Sequence, residues 1–196
     1  MDKMSLQMKL NFLVGLALAS LLLVAIAALW SVRSGTRSVW ELGENRLPSV
    51  QSLMTIMEAE QKVRVANLGV ALLENDPDPQ DKIKALQSRR QTVWAEIDKE
   101  WKEYVSLPMD PEEEKLWKTF VADWEAWKVG DTKLGEIMAS LTTTKKQAEL
   151  SALYKDFLQQ MEDNSPRFAK AELSLDKIVE HQIEASKKEV QAASQG

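Results

Sequence analysis

Apolar positions in this chain fall into two regimes: one unbroken run near the start, then stripes spaced by three and four residues. Residues 10–32 carry no charged side chain, and Lys9 and Arg33 close the run on either side. At about 1.5 Å per helical residue the run reaches roughly 34 Å, enough to cross a hydrocarbon core of about 30 Å. Trp30 stands near its outgoing edge, where an amphipathic ring favours the membrane interface. Ala25 and Ala27 form an A-x-A-like pair, but a secretory apolar region spans only about 7–15 residues. An uncleaved transmembrane helix over 10–32 is therefore expected, with residues 1–9 as a short tail. The basic residues, Lys3 and Lys9 before the run and Arg33, Arg37 and Arg46 after it, do not decide its orientation.

Beyond residue 33 the pattern is helical throughout. Leu47, Val50, Met54, Met57, Gln61, Arg64, Leu68 and Ala71 alternate by three and four, as do Trp117, Phe120, Trp124, Trp127, Asp131, Leu134, Met138 and Leu141. Ile83, Leu86, Trp94, Ile97, Trp101 and Tyr104 form a broad stripe, and Phe168, Leu175, Ile178 and Val179 another. This spacing is the seam of a left-handed bundle, and its tryptophans read as core. A second apolar set on the first helix, Leu53, Ile56, Val63 and Val70, exceeds what one core contact needs. It predicts a homodimer that pairs first helices.

Prolines punctuate the helices. Each removes a donor and restricts the residue before it. In Asn75-Asp76-Pro77-Asp78-Pro79, Asp78 is the expected N-cap. In Leu107-Pro108-Met109-Asp110-Pro111, Asp110 is, with Glu112, Glu113 and Glu114 favourably placed in the first turn. Thr142, Thr143 and Thr144 mark a softer break, and Asp163-Asn164-Ser165-Pro166 a further one. Helices are predicted over 34–74, 79–106, 111–141 and 165–193, with a shorter piece at 147–162. The first should run on continuously from the membrane span despite Gly35 and Pro48. The fold class is all-α: a transmembrane helix continuing into an antiparallel up-down four-helix bundle over 33–196.

Composition narrows the function. Seven glycines and six prolines in 196 residues, without sustained strand alternation, fit an all-α chain. A net charge of −5 without a basic run excludes a nucleic-acid footprint. The lack of cysteine fits an oxidising compartment such as a bacterial periplasm. No glycine-rich phosphate loop or G-x-S-x-G occurs. The one histidine, His181, lies beside the i,i+4 acidic pair Glu180 and Glu184 on what reads as a solvated helix face. No enzyme, metal site or cofactor is expected.

The polar residues interrupting the seams are the sharper signal. Measured from helix tips near 74 and 141, Arg64 and Asp131 each lie about 15 Å down, in one layer. Either they pair and fix register, or Arg64 stands free to clamp a ligand carboxylate. Gln61, Arg64, Asn67 and Asp131 are the candidate ligand-binding residues.

Several segments resemble a known family. Tyr104-Val105-Ser106-Leu107-Pro108, the stretch from Pro111 to Phe120, and Trp124-Glu125-Ala126-Trp127 resemble the central segment of four-helix-bundle sensor domains. These domains belong to bacterial methyl-accepting chemotaxis receptors, the group often labelled HlyB-like. Leu47-Pro48-Ser49-Val50, Arg64-Val65-Ala66-Asn67 and Leu175-Asp176-Lys177-Ile178-Val179 are similar to its flanking helices. The resemblance implies an inner-membrane receptor with a cytoplasmic N-terminus and a periplasmic ligand-binding bundle. It also implies that small ligands bind in the distal part of the bundle, often across a dimer interface with first-helix arginines. Residues 1–196 hold the first span and the bundle, but not the second span, linker and signalling coiled coil of such receptors. Sensing is therefore expected of this sequence, and signalling output is not. The leading expectation is a membrane-anchored sensor of a small, anionic molecule. The alternative is an anchored helical protein that dimerises or docks a partner without a small ligand.

Overall fold

The computed structural model describes residue 16, residues 18–26 and residues 40–195. Most of the predicted span 10–32, and residues 34–39 that should join it to the bundle, lie outside the described residues. Residues 18–26 are helical with exposed side chains. Among the described residues no helix is long and apolar enough to cross a membrane.

From Trp40 the chain is helical and passes through one π-helical turn, Leu42–Arg46, into α1, Leu47–Ala71. Pro48 explains the turn. It cannot donate to the carbonyl of Glu44, and its ring would crowd that carbonyl in a regular α-helix, so the backbone widens just before it. Helices α2 (Gln80–Ser106), α3 (Pro111–Thr143) and α4 (Gln147–Gln195) follow. They run up-down-up-down in a closed ring, with α1 packed on α2 and α4, and α3 likewise. The described residues contain no strand.

Two expected features differ. Asp78 does not cap α2; Asp76 accepts the Asp78 N–H at 3.0 Å, and α2 starts at Gln80 without a side-chain cap. Nor does α4 break at Asp163–Pro166, so the two predicted pieces are one helix with Pro166 inside it. A proline there forfeits one backbone hydrogen bond, but Asn164 and Phe168 on either side are buried in the bundle. Tertiary packing outweighs the local breaker. Asp110 caps α3 as expected, accepting from the Glu112 and Glu113 N–H groups at 3.0 and 2.9 Å.

The core corrects the seam assigned to α1. The buried face carries Leu53, Ile56, Val63 and Val70, the set expected to pair two copies, together with Ala59 and Ala66. The predicted seam is the outer face: Leu47, Met54, Arg64 and Leu68 are exposed, and Val50, Met57, Gln61 and Ala71 half-buried. The α3 seam from Phe120 to Leu141 is buried as read. Two apolar clusters result. The proximal one holds Ile56, Val63, Ile97, Trp124, Trp127 and Phe168; the distal one holds Val70, Ile83, Leu134, Met138, Tyr154 and Phe157. Edge-on and tilted aromatic contacts knit the first, as between Trp124 and Trp127 at 4.8 Å.

Candidate functional site

Between the two apolar clusters lies a polar layer built by all four helices. Asp131 on α3 is its centre, 1% exposed. Across the diagonal of the bundle, Asn67 on α1 donates to its Oδ1 at 3.0 Å. From α2, Arg90 pairs with Oδ2, and Trp94 Nε1 donates to the same oxygen at 3.2 Å. Arg90 Nη2 also reaches the Asp131 carbonyl at 3.0 Å. From α4, Asn164 donates to the Trp127 carbonyl at 3.2 Å.

Two glycines make room for this layer. A Cβ on Gly130 would stand 2.0 Å from Asn164 Oδ1, and one on Gly135 would stand 3.0 Å from Arg90 Nη1. Glycine inside a helix is unfavourable by roughly 0.5–1 kcal/mol. Here it admits a buried amide and a buried guanidinium that alanine would displace.

The predicted residues separate. Asp131 is held by Arg90, not by Arg64, so the expected Arg64–Asp131 pair is corrected. The estimate of depth was close, since Asn67, one turn above Arg64, does meet Asp131. Gln61 turns toward α4 and donates to Glu172 at 2.7 Å. Arg64 is exposed, makes no ion pair among the described residues, and lies 5.0 Å from the centroid of the Phe168 ring. Arg90 was missed, although the steps Ile83, Leu86, Arg90, Val93, Ile97 place it in the α2 seam. Gly130 and Gly135 in mid-helix were a second signal.

Arg64 and Asn67 border a cleft of about 300 Å³ between α1 and α4, floored by Trp127 and Leu134 of α3 and closed by Met161 and Phe168 of α4. Its walls are mostly apolar. Asn67 is 5% exposed, and because its amide nitrogen faces the Asp131 carboxylate, its carbonyl oxygen faces away; among the described residues that oxygen has no hydrogen-bond donor. The cleft thus combines an exposed cation at its mouth with an aromatic floor, the exposed Glu162 also lining it.

A second polar cluster sits at the opposite, proximal end. Arg46, from the π turn, approaches Glu113 at 3.5 Å, Asp110 at 3.6 Å and Glu41 at 3.7 Å, and donates to Gln182 at 3.1 Å. Tyr104 and Gln182 both donate to Glu113 Oε1. Burial, and then the bond to Glu113, push the Tyr104 hydroxyl up from its ordinary range. His181 Nε2 meets Asp110 Oδ2 at 2.8 Å, which corrects the solvated-face reading of His181. Burial works to raise the Asp110 carboxyl, but the Glu113 and Glu112 N–H groups and His181 hold it below the usual carboxylate range. Asp110, Glu113 and His181 could converge on a cation. Arg46 already stands between the two carboxylates, where it offsets part of their charge and clamps the π turn to α3 and α4.

Residues 3–195 match the family described as a four-helix-bundle sensory module for signal transduction. The chain belongs to this family. No curated protein and no solved structure matches it significantly.

Proposed function

We propose that this chain is the ligand-sensing part of a chemotaxis-type membrane receptor. Residues 10–32 anchor it in a bacterial inner membrane, and the bundle faces the periplasm. The α1–α4 cleft takes a small anionic molecule with an apolar body. One observation supports this above others: Arg64 holds an exposed guanidinium at the mouth of an apolar cleft that bridges two helices. Arginine binds carboxylates in two-pronged fashion, and Trp127 and Phe168 suit an apolar remainder. A ligand lodged between α1 and α4 shifts them only as far as it prefers one packing over another. The one histidine, His181, is committed to Asp110, which favours a binding module over an enzyme.

A thermal-shift screen of carboxylic acids on the purified chain tests this reading. A ligand at about a hundredfold excess over its Kd stabilises the fold by roughly 2.7 kcal/mol. That gain should disappear in Arg64→Ala. If no acid raises Tm, or if acids stabilise Arg64→Ala equally, the anchored docking protein is the better reading.

The outer face of α1 favours pairing with a second copy. Leu47, Met54 and Leu68 are 64%, 48% and 47% exposed in one stripe, so a homodimer would use the seam first read as core. Sedimentation should show a dimer that weakens in Met54→Lys. Monomer at all concentrations, in detergent as well as after proteolytic release of the bundle, would count against it.

A further inference from the structure

Glu60 is the one acid of the bundle buried with nothing to satisfy it among the described residues. It lies on the inner face of α1 with 0% exposure, and neither carboxyl oxygen meets a hydrogen-bond donor. The charges acting on it have its own sign: Glu172 and Asp176, both half-buried on α4. Among the described residues no cation near this level pairs with it. On α2, Glu96 holds Lys62 at 3.6 Å. On α3, Asp123 holds Lys170 at 2.9 Å. On α1 itself, Arg64 lies over Phe168. A bare carboxylate in such a place is strongly disfavoured, whereas the neutral acid needs no counter-ion.

We propose that Glu60 is a proton-binding site that couples the packing of α1 on α4 to pH. Protonated, it tolerates the close contact of the two helices; ionised, it repels Glu172 and Asp176 and loosens that contact. Burial, then Glu172, then Asp176, push its carboxyl up to about 8, so the exchange falls in an ordinary environmental range. The inference stands whether or not the cleft above it takes a ligand.

The sign follows from proton linkage. Between the ordinary value of 4.5 and about 8, folded Glu60 keeps a proton that the unfolded chain has lost. Stability contributed by this group is complete at low pH and falls as pH rises through that window, by up to about tenfold in the folding constant per pH unit. It then levels off.

Denaturant unfolding of the full chain in detergent, from about pH 5 to about pH 9, should therefore differ between the natural protein and Glu60→Gln. The amide is neutral throughout, and every other titratable group is common to both. Glu60→Gln should lack the loss across the window and exceed the natural protein in stability at the alkaline end. Parallel curves would overturn the proposal. Infrared spectra provide a second test that does not need the variant to fold. Near neutral pH the natural protein should show a protonated carboxyl band. Glu172→Gln should move its disappearance to lower pH. Absence of that band would equally overturn the proposal.

Discussion

Replacing Arg90 by alanine is expected to destabilise the bundle by about 3–5 kcal/mol, the loss typical of a buried ion pair deprived of one member. The Arg90 side chain is 8% exposed and that of Asp131 1%. Truncation leaves the buried carboxylate with Asn67 and Trp94 as donors but no charge opposite it. It also empties the space that Gly135 keeps open. Arg64→Ala, by contrast, removes an exposed cation whose one contact is a ring, and should cost about 1 kcal/mol or less. Urea unfolding of the two variants decides the matter. Equal losses would mean that Arg64 takes part in the polar layer after all. A loss below about 1 kcal/mol in Arg90→Ala would mean that the layer relaxes and lets water in.

The contrast also marks where sequence reasoning reached its limit. The α3 seam was legible because large aromatics at three-four spacing have only one way to be buried. The α1 seam was not, because that helix is apolar on two faces, and periodicity alone cannot say which turns inward. Charge could have decided it: Arg64 lies in one stripe, and an unpartnered guanidinium is harder to bury than Ser52 or Asn67. Glu60 runs against even that argument, since it is buried unpaired, and a carboxyl can be buried by taking a proton where a guanidinium cannot shed one. Caps were legible where the side chain has a single task, as at Asp110. They were not in the Asp76–Pro79 turn, where two aspartates compete for the same role. Pro166 was misread because a local signal worth about 3 kcal/mol was set against packing invisible in one dimension.

Arg46→Ala is expected to cost about 3 kcal/mol, nearly as much as Arg90→Ala, by the same mechanism at the proximal end. Its side chain is 10% exposed, and Glu113 opposite is almost wholly buried. Without Arg46, Glu113 keeps hydrogen bonds from Tyr104 and Gln182 but loses its nearest cation, and Gln182 loses a donor. Tyr104→Phe removes one hydrogen bond only and should cost about 1–3 kcal/mol. The two variants should also differ in what moves. Arg46→Ala frees the π turn from α3 and α4, so hydrogen exchange should rise across Leu42–Arg46; Tyr104→Phe should leave that turn protected. Unchanged exchange there in Arg46→Ala would show that Pro48 and local helix geometry hold the turn, and that the clamp stabilises only α3 against α4. Asp110 adds an acid limit of its own. Its carboxyl is held below 3.8, so the stability it contributes is present above that value and lost as pH falls through the folded one. Glu60 has the opposite sign: its contribution is complete below 4.5 and already falling above it, so these two groups together place maximal stability between 3.8 and 4.5.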